Sequence, residues 1–434
     1  MQRLKILAGT AILVITFFAL TINVHGSVSI SETQHVKLID KPNLALVDPV
    51  KAHLYQLQQQ ELKAAIKTYF DKAIASGDIV GAGVSIVKGD SIVISEGYGK
   101  KNSNANDGVN GQTIFRLGSL SKGFAGILAA KLIKEGKLNW EDRVSDYIPG
   151  FQMGDSSNTD KITLANLLSH TSGAPYHSYT NLVEAGLSLT DIAKRFKDVK
   201  PIAKPGLIYS YQNALFALSG EMMYKATGKE LPTLLENSFF KPLEMCSTTM
   251  DYETLRHSKN VAIPHSQRRN QWKPIQITNN YHNAIAAGGI SASALDMAKW
   301  MRFILGYNPE IMSKSAIAEA FKPFIEIKGH HKYYQRWPGH ISSYYGFGWR
   351  IDKFVEDHAD REKTVWHHGG SVNNYRNEIA VYPEAELGIC VLLNNNSKLA
   401  KTVVPDLYGI VREVFEQTTS NIALNGSPSH TPKL

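Results

Sequence analysis

Strand-like runs crowd toward the two ends of this 434-residue chain, with a long helical stretch between them. Early on, residues 84–87 and 91–95 flank Lys88-Gly89-Asp90 and read as a hairpin. Late in the chain, residues 345–351, 364–367, 377–382 and 388–393 read as a meander, with Pro383 to Glu386 as one of its turns. Between them, about residues 138–299, the pattern is helix and loop. Strands at both ends imply one sheet assembled from the two termini, and the helical insertion then forms a second lobe. The expected fold is α/β (α+β): an antiparallel sheet flanked by helices, plus an all-helical lobe. Ligand sites lie preferentially in the cleft between such lobes.

Composition supports a packed globule rather than a low-complexity chain, with 43% hydrophobic and 20% charged residues. Two cysteines, Cys246 and Cys390, exclude a disulfide scaffold and read as separate buried thiols. The net charge of +8 is spread without any basic run, so no nucleic-acid partner is expected. No HExxH, G-x-S-x-G or Walker-type loop occurs, and adjacent histidines such as His367-His368 point to opposite faces of a strand. Neither a metal nor an organic cofactor is expected.

Arg3 and Lys5 precede an apolar stretch from Ile6 to Val24, and Gly26 and Ser27 follow it. This order reads as a secretory signal cleaved near Gly26, with an uncleaved membrane anchor as the alternative. The expected organisation is a signal at 1–26, an extended arm at 27–51, a catalytic domain at 52–417 and a disordered tail at 418–434. Within the domain, the sheet lobe comes from about 52–125 and 300–417, and the helical lobe from about 126–299. The protein is expected to be periplasmic or secreted, touching a membrane only if the segment stays uncleaved.

Ser-x-x-Lys occurs three times, at Ser85 to Lys88, Ser119 to Lys122 and Ser238 to Lys241. A serine can use a lysine as its base only when both share a face, which i and i+3 of a helix provide. Ser85 lies in the hairpin, and Pro242 stops any helix running on from Lys241. Ser119 opens a strongly apolar helical pattern reaching Glu135, directly after Gly118. There its oxygen meets the positive end of the helix dipole, and a desolvated Lys122 loses its proton readily. Taken alone, the tetrad is equally an N-cap serine beside an exposed lysine.

The segment Phe115-Arg116-Leu117-Gly118-Ser119-Leu120-Ser121-Lys122 resembles the first motif of class C β-lactamases and the related low-molecular-weight, DD-peptidase-like penicillin-binding proteins. Tyr209-Ser210-Tyr211-Gln212-Asn213 resembles their Tyr-x-Asn element, and His367-His368-Gly369-Gly370 stands at the third motif. Framework segments agree: Leu167 to Gly173, Lys241 to Met245, Gly288 to Ser291 and Tyr345 to Trp349. The similarity runs from about Leu57 to Phe415. It implies the β-lactamase/transpeptidase-like fold and an exported serine hydrolase that forms a Ser acyl-enzyme on an amide. The substrate would be a small molecule or peptidoglycan-derived: a D-amino-acid peptide or a β-lactam. An esterase, or a non-hydrolysing penicillin-binding receptor, is the alternative.

By resemblance Ser119 is the nucleophile, Lys122 its base and Tyr211 the phenolic acid/base. Asn213, which would bond Lys122 and a substrate amide, joins His367, Gly369 and Gly370 in the substrate site. The backbone N–H groups of Ser119 and Gly370 form the oxyanion hole. The third motif departs from Lys-Thr-Gly, because it reads His-His-Gly with His368 in place of the hydroxyl residue. Carboxylate capture is therefore expected to be weaker, with Lys363 and Arg376 as candidates to compensate. Asn373-Asn374 replaces the Pro-Gly of many relatives.

Overall fold

The computed structural model describes residues 49–355 and 362–425; the segment expected to be a signal, most of the expected arm and residues 426–434 of the expected tail lie outside the described residues. Helix α1 (Pro49–Ala75) starts before residue 52, so the end of the expected arm is already helical. Its Leu62, Ile66 and Phe70 are fully buried, four residues apart on one face of the helix. Strands β1 (Gly81–Lys88) and β2 (Ser91–Gly99) follow as the hairpin. Short pairs then decorate the helical lobe: β3 (Ile114–Arg116) with β6 (Ser291–Ser293), and β4 (His265–Arg268) with β5 (Gln271–Pro274). The remaining strands are β7 (Ile325–Glu326), β8 (His340–Tyr345), β9 (Arg350–Val355), β10 (Glu362–Val372), β11 (Tyr375–Tyr382) and β12 (Leu387–Leu393).

Among the described residues the main sheet has eight strands in the order β2-β1-β12-β11-β10-β9-β8-β7. Its closure is the antiparallel pairing of β1 with β12, from Ala82 opposite Leu393 to Lys88 opposite Leu387. The run at 345–351 is not one strand: Gly346 to Trp349 turn the chain between β8 and β9. Gly348, at φ +81°, adopts the left-handed conformation that such a turn needs.

Two cores pack on opposite faces of this sheet. One holds Phe124, Ile127 and Leu128 of α2 (Ser121–Lys134) with the helical lobe and with Ile379, Val381, Cys390 and Leu392. The other holds α1 and the closing helix Val403–Asn425 against Ala380, Ile389, Val391 and Leu393. The closing helix runs to Asn425, so residues 418–425 of the expected disordered tail are helical. Both cysteines are free, and Cys246 is exposed rather than buried. Among the described residues no helix is long and apolar enough to cross a membrane.

Candidate active site

The turn that carries Ser119 is a 3₁₀ turn, Gly118–Leu120, which leads into α2 instead of belonging to it. Gly118 has φ +57°, and a Cβ there would lie 2.9 Å from the backbone of Ser371 in β10. Glycine thus permits both the turn and its close approach to the strand. Lys122, in the first turn of α2, is fully buried, and its Nζ lies 3.2 Å from Ser119 Oγ. Tyr211 comes from the loop before helix Asn213–Thr227, and its phenol donates to Ser119 Oγ at 2.8 Å.

Lys122 Nζ has two further acceptors, Asn213 Oδ1 at 2.8 Å and the Ala287 carbonyl at 2.7 Å. Neither oxygen can donate. A neutral amine has two hydrogens and one lone pair, so its hydrogens go to these two oxygens and its lone pair faces Ser119. Burial, helped by the charge of Arg350, pushes the Lys122 ammonium well below its usual range. Burial pushes the Tyr211 phenol up to about 12. Lys122 is therefore the available base and Tyr211 the available acid.

Asn213 is a buried residue whose Nδ2 donates to Tyr281 Oη at 3.0 Å. His170 closes the floor, with its ring 4.2 Å from that of Tyr211. Its Nδ1 accepts the Gln212 N–H at 3.1 Å, and burial holds its imidazole well below the ordinary range. His170 belongs to the Leu167 to Gly173 framework segment, and no spacing in the sequence marks it as part of the site.

At the third motif the pleat corrects the assignment. His367 is fully buried on the sheet face that packs against α1, with Nε2 2.8 Å from Glu378 and its ring against Tyr334 and Trp337. It does not line the cleft. His368, one residue on, faces the catalytic residues: Nε2 meets Tyr345 Oη at 2.9 Å, and its ring lies 6.4 Å from that of Tyr211. A shift of one residue along a strand exchanges its faces. Gly369 shares the His367 face, where a Cβ would crowd Tyr333 and Glu378, so its side-chain position is likewise outside the cleft. Gly370 lies on the site face, and a Cβ there would collide with the Leu117 carbonyl.

The β10–β11 hairpin decides which amides are free. Asn373 and Asn374 both have positive φ, +46° and +64°, forming a two-residue I′-type turn. Its closing pair, Val372 and Tyr375, exchanges both ladder hydrogen bonds, and alternation then points the Gly370 N–H at Asn377. The Ser371 N–H points the other way, and β10 has no β9 partner beyond His367. Ser371, not Gly370, thus presents the free amide beside Ser119.

The two compensating cations also face elsewhere: Lys363 Nζ meets Tyr408 Oη at 2.7 Å, and Arg376 pairs with Glu378 at 2.9 Å. A further cation whose charge reaches the site is Arg350, the cross-strand partner of His367, and it directly follows the Tyr345 to Trp349 segment without any spacing that marks it. Its guanidinium lies 4.6 Å over the Tyr334 ring, and Nε and Nη1 are buried with no hydrogen-bond partner. Its charge depresses Lys122, His170 and His368 together.

Residues 66–407 match a protein-family model described as Beta-lactamase. Protein flp of Staphylococcus aureus (strain COL) is 26% identical over 344 residues, covering 79% of this chain and 65% of that protein. Unguisins hydrolase ungD' of Aspergillus campestris (strain IBT 28561) is 25% identical over 330 residues, 74% of this chain and 59% of that one. The chain therefore spans less than two thirds of the length of these curated relatives. Among solved structures, the octameric penicillin-binding protein homologue from Pyrococcus abyssi superposes with a TM-score of 0.66 at 24% identity, covering 80% of this chain and 77% of that one. EstCE1, a hydrolase with promiscuous acyltransferase activity, gives 0.67 at 19%, covering 82% and 99%. Both likenesses are of fold.

Proposed function

This chain belongs to the β-lactamase family, and from that premise we propose a hydrolase that passes through a Ser119 acyl-enzyme on amides bearing a nearby carboxylate, as D-amino-acid peptides and β-lactams do. One observation carries the reading: Ser119 Oγ has the buried Lys122 amine at 3.2 Å and the Tyr211 phenol at 2.8 Å. Lys122 takes the hydroxyl proton as Oγ attacks the carbonyl carbon. The oxyanion is held by the N–H groups of Ser119 and Ser371, an interaction worth a few kcal/mol in a water-excluded site. Tyr211 protonates the leaving nitrogen and recovers a proton from the Lys122 ammonium. In deacylation a water attacks the ester, gives its proton to the base, and Oγ leaves reprotonated.

Arg350 supplies the positive charge that the third motif lacks, since His368 is kept neutral by burial and by the Arg350 charge. A guanidinium with two unpaired N–H-bearing nitrogens suits a planar carboxylate. An ester is the second reading, favoured by the absence of a lysine at the third motif. The arrangement of residues 1–26 supports export, testable by N-terminal sequencing of the protein recovered outside the cytoplasm.

The test is intact-mass measurement after exposure to penicillin, a D-Ala-D-Ala peptide and a nitrophenyl ester, with turnover followed in parallel. A Ser119 adduct and turnover on the amides, both abolished in Ser119→Ala, are expected. Turnover of the ester alone favours the esterase, and a stoichiometric adduct that never clears favours a receptor. No adduct and no Ser119-dependent turnover ends the proposal.

A further inference from the structure

Tyr281 belongs to none of the motifs, yet it bonds Asn213, one permanent acceptor of Lys122, and packs on Gly288, the residue after the other. Its hydroxyl accepts from Asn213 Nδ2 at 3.0 Å and donates to Glu184 Oε1 at 3.3 Å. Its ring packs on Gly288, where a Cβ would lie 2.9 Å from the ring Cδ1. Gly288 directly follows Ala287, whose carbonyl is the second acceptor. Tyr281 itself has φ +68°, a conformation that a bulky residue adopts only when its surroundings hold it there.

The chain of bonds has a direction. An amide side chain can present oxygen or nitrogen, and only oxygen is compatible with Lys122, which can only donate while charged. The Tyr281 hydroxyl accepts from the amide nitrogen because its own proton is directed to Glu184. Asn213 is thereby fixed with Oδ1 toward Nζ, and one of its two amide hydrogens is engaged by Tyr281. With Asn213 Oδ1 and the Ala287 carbonyl both held, the lone pair of neutral Lys122 has one direction left, toward Ser119 Oγ.

We propose that Tyr281, oriented by Glu184, is a positioning residue that holds both acceptors of Lys122 and so aims its lone pair at the nucleophile. The inference rests on the Ser119 acyl-enzyme reading and adds a residue to it.

The test variant is Tyr281→Phe, which keeps the ring on Gly288 and removes only the hydroxyl. Two changes are expected together. The acylation rate falls about tenfold, the scale of one buried hydrogen bond, with KM little altered. The acid limb of the pH–rate profile moves to lower pH, because an ammonium that loses a firmly held acceptor is less favoured. A merely structural defect would reduce the titratable active fraction without moving the limb. Lysine-labelled NMR of the resting protein reads the same shift without turnover: the Lys122 titration midpoint falls in Tyr281→Phe. If the wild type lacks Ser119-dependent activity, the hydrolase reading fails while this NMR shift still tests the brace. An unmoved midpoint, or an unmoved acid limb with wild-type acylation, overturns the inference.

Discussion

At Ser119 two partners of opposite bias meet. Burial and Arg350 favour the neutral amine of Lys122, and burial favours the protonated phenol of Tyr211. The sign of the pH dependence follows. Activity rises as pH climbs through the lowered Lys122 titration and falls only toward about 12, where Tyr211 ionises. Arg350 acts on the first of these groups as a neighbouring like charge. Replacing it as Arg350→Met is expected to move the acid limb to higher pH, since removing that cation makes the Lys122 ammonium easier to form. In the same variant, KM for a carboxylate substrate rises about tenfold or more, while KM for its methyl ester stays nearly constant. Steady-state kinetics on the matched pair of substrates checks both statements.

At the scale of elements, the contact between the Ser119 turn and β10 places base, nucleophile and oxyanion donors together. Gly118→Ala puts a methyl group against the Ser371 backbone at a positive φ, so it is strained twice over. A loss of at least 100-fold in acylation, ~3 kcal/mol of misalignment, is expected, measurable by burst kinetics. Behind β10 a buried polar cluster fixes the strand from its other face. Glu378 accepts from Tyr333 Oη at 2.7 Å and from Arg376 at 2.9 Å, with His367 Nε2 at 2.8 Å. Glu378→Ala leaves these groups without their shared partner and is expected to cost about 3 to 5 kcal/mol in urea unfolding. His367, read from the sequence as a cleft residue, belongs to this support.

For the molecule as a whole, the sheet exists only once both chain ends have arrived. β1 finds β12 about three hundred residues away, and the closing helix covers that seam with Val403, Val404, Leu407 and Val411 buried. Leu407→Ala removes a fully buried side chain far from Ser119. It is expected to lower stability by about 2 to 5 kcal/mol with the acylation rate per active site unchanged, checked by denaturant unfolding and active-site titration. Much of this plan was legible from local pattern. The hairpin at Gly89, the apolar stripe of α1 and the helix after Ser119 depend on residues within a turn or two of each other. Ser119 and Lys122 are three apart across the 3₁₀ turn and the first turn of α2, so their meeting is a local matter once that turn and helix form. Tyr211 and Asn213 were found through resemblance. What the sequence left open was everything set by long-range pairing. The face that His367 or His368 presents depends on register against β9 and β11, and the pleat exchanges faces at each residue. The free amide at Ser371 depends on ladder alternation counted from the Asn373-Asn374 turn. Arg350 and Tyr281 reach the site from distant elements with no spacing rule to announce them. The sequence by itself determined the closeness of Ser119 and Lys122, because a turn and the helix it opens bring near neighbours together; which histidine and which amide of β10 face them was decided only by tertiary structure, because strand register and packing bring together residues that no local period relates.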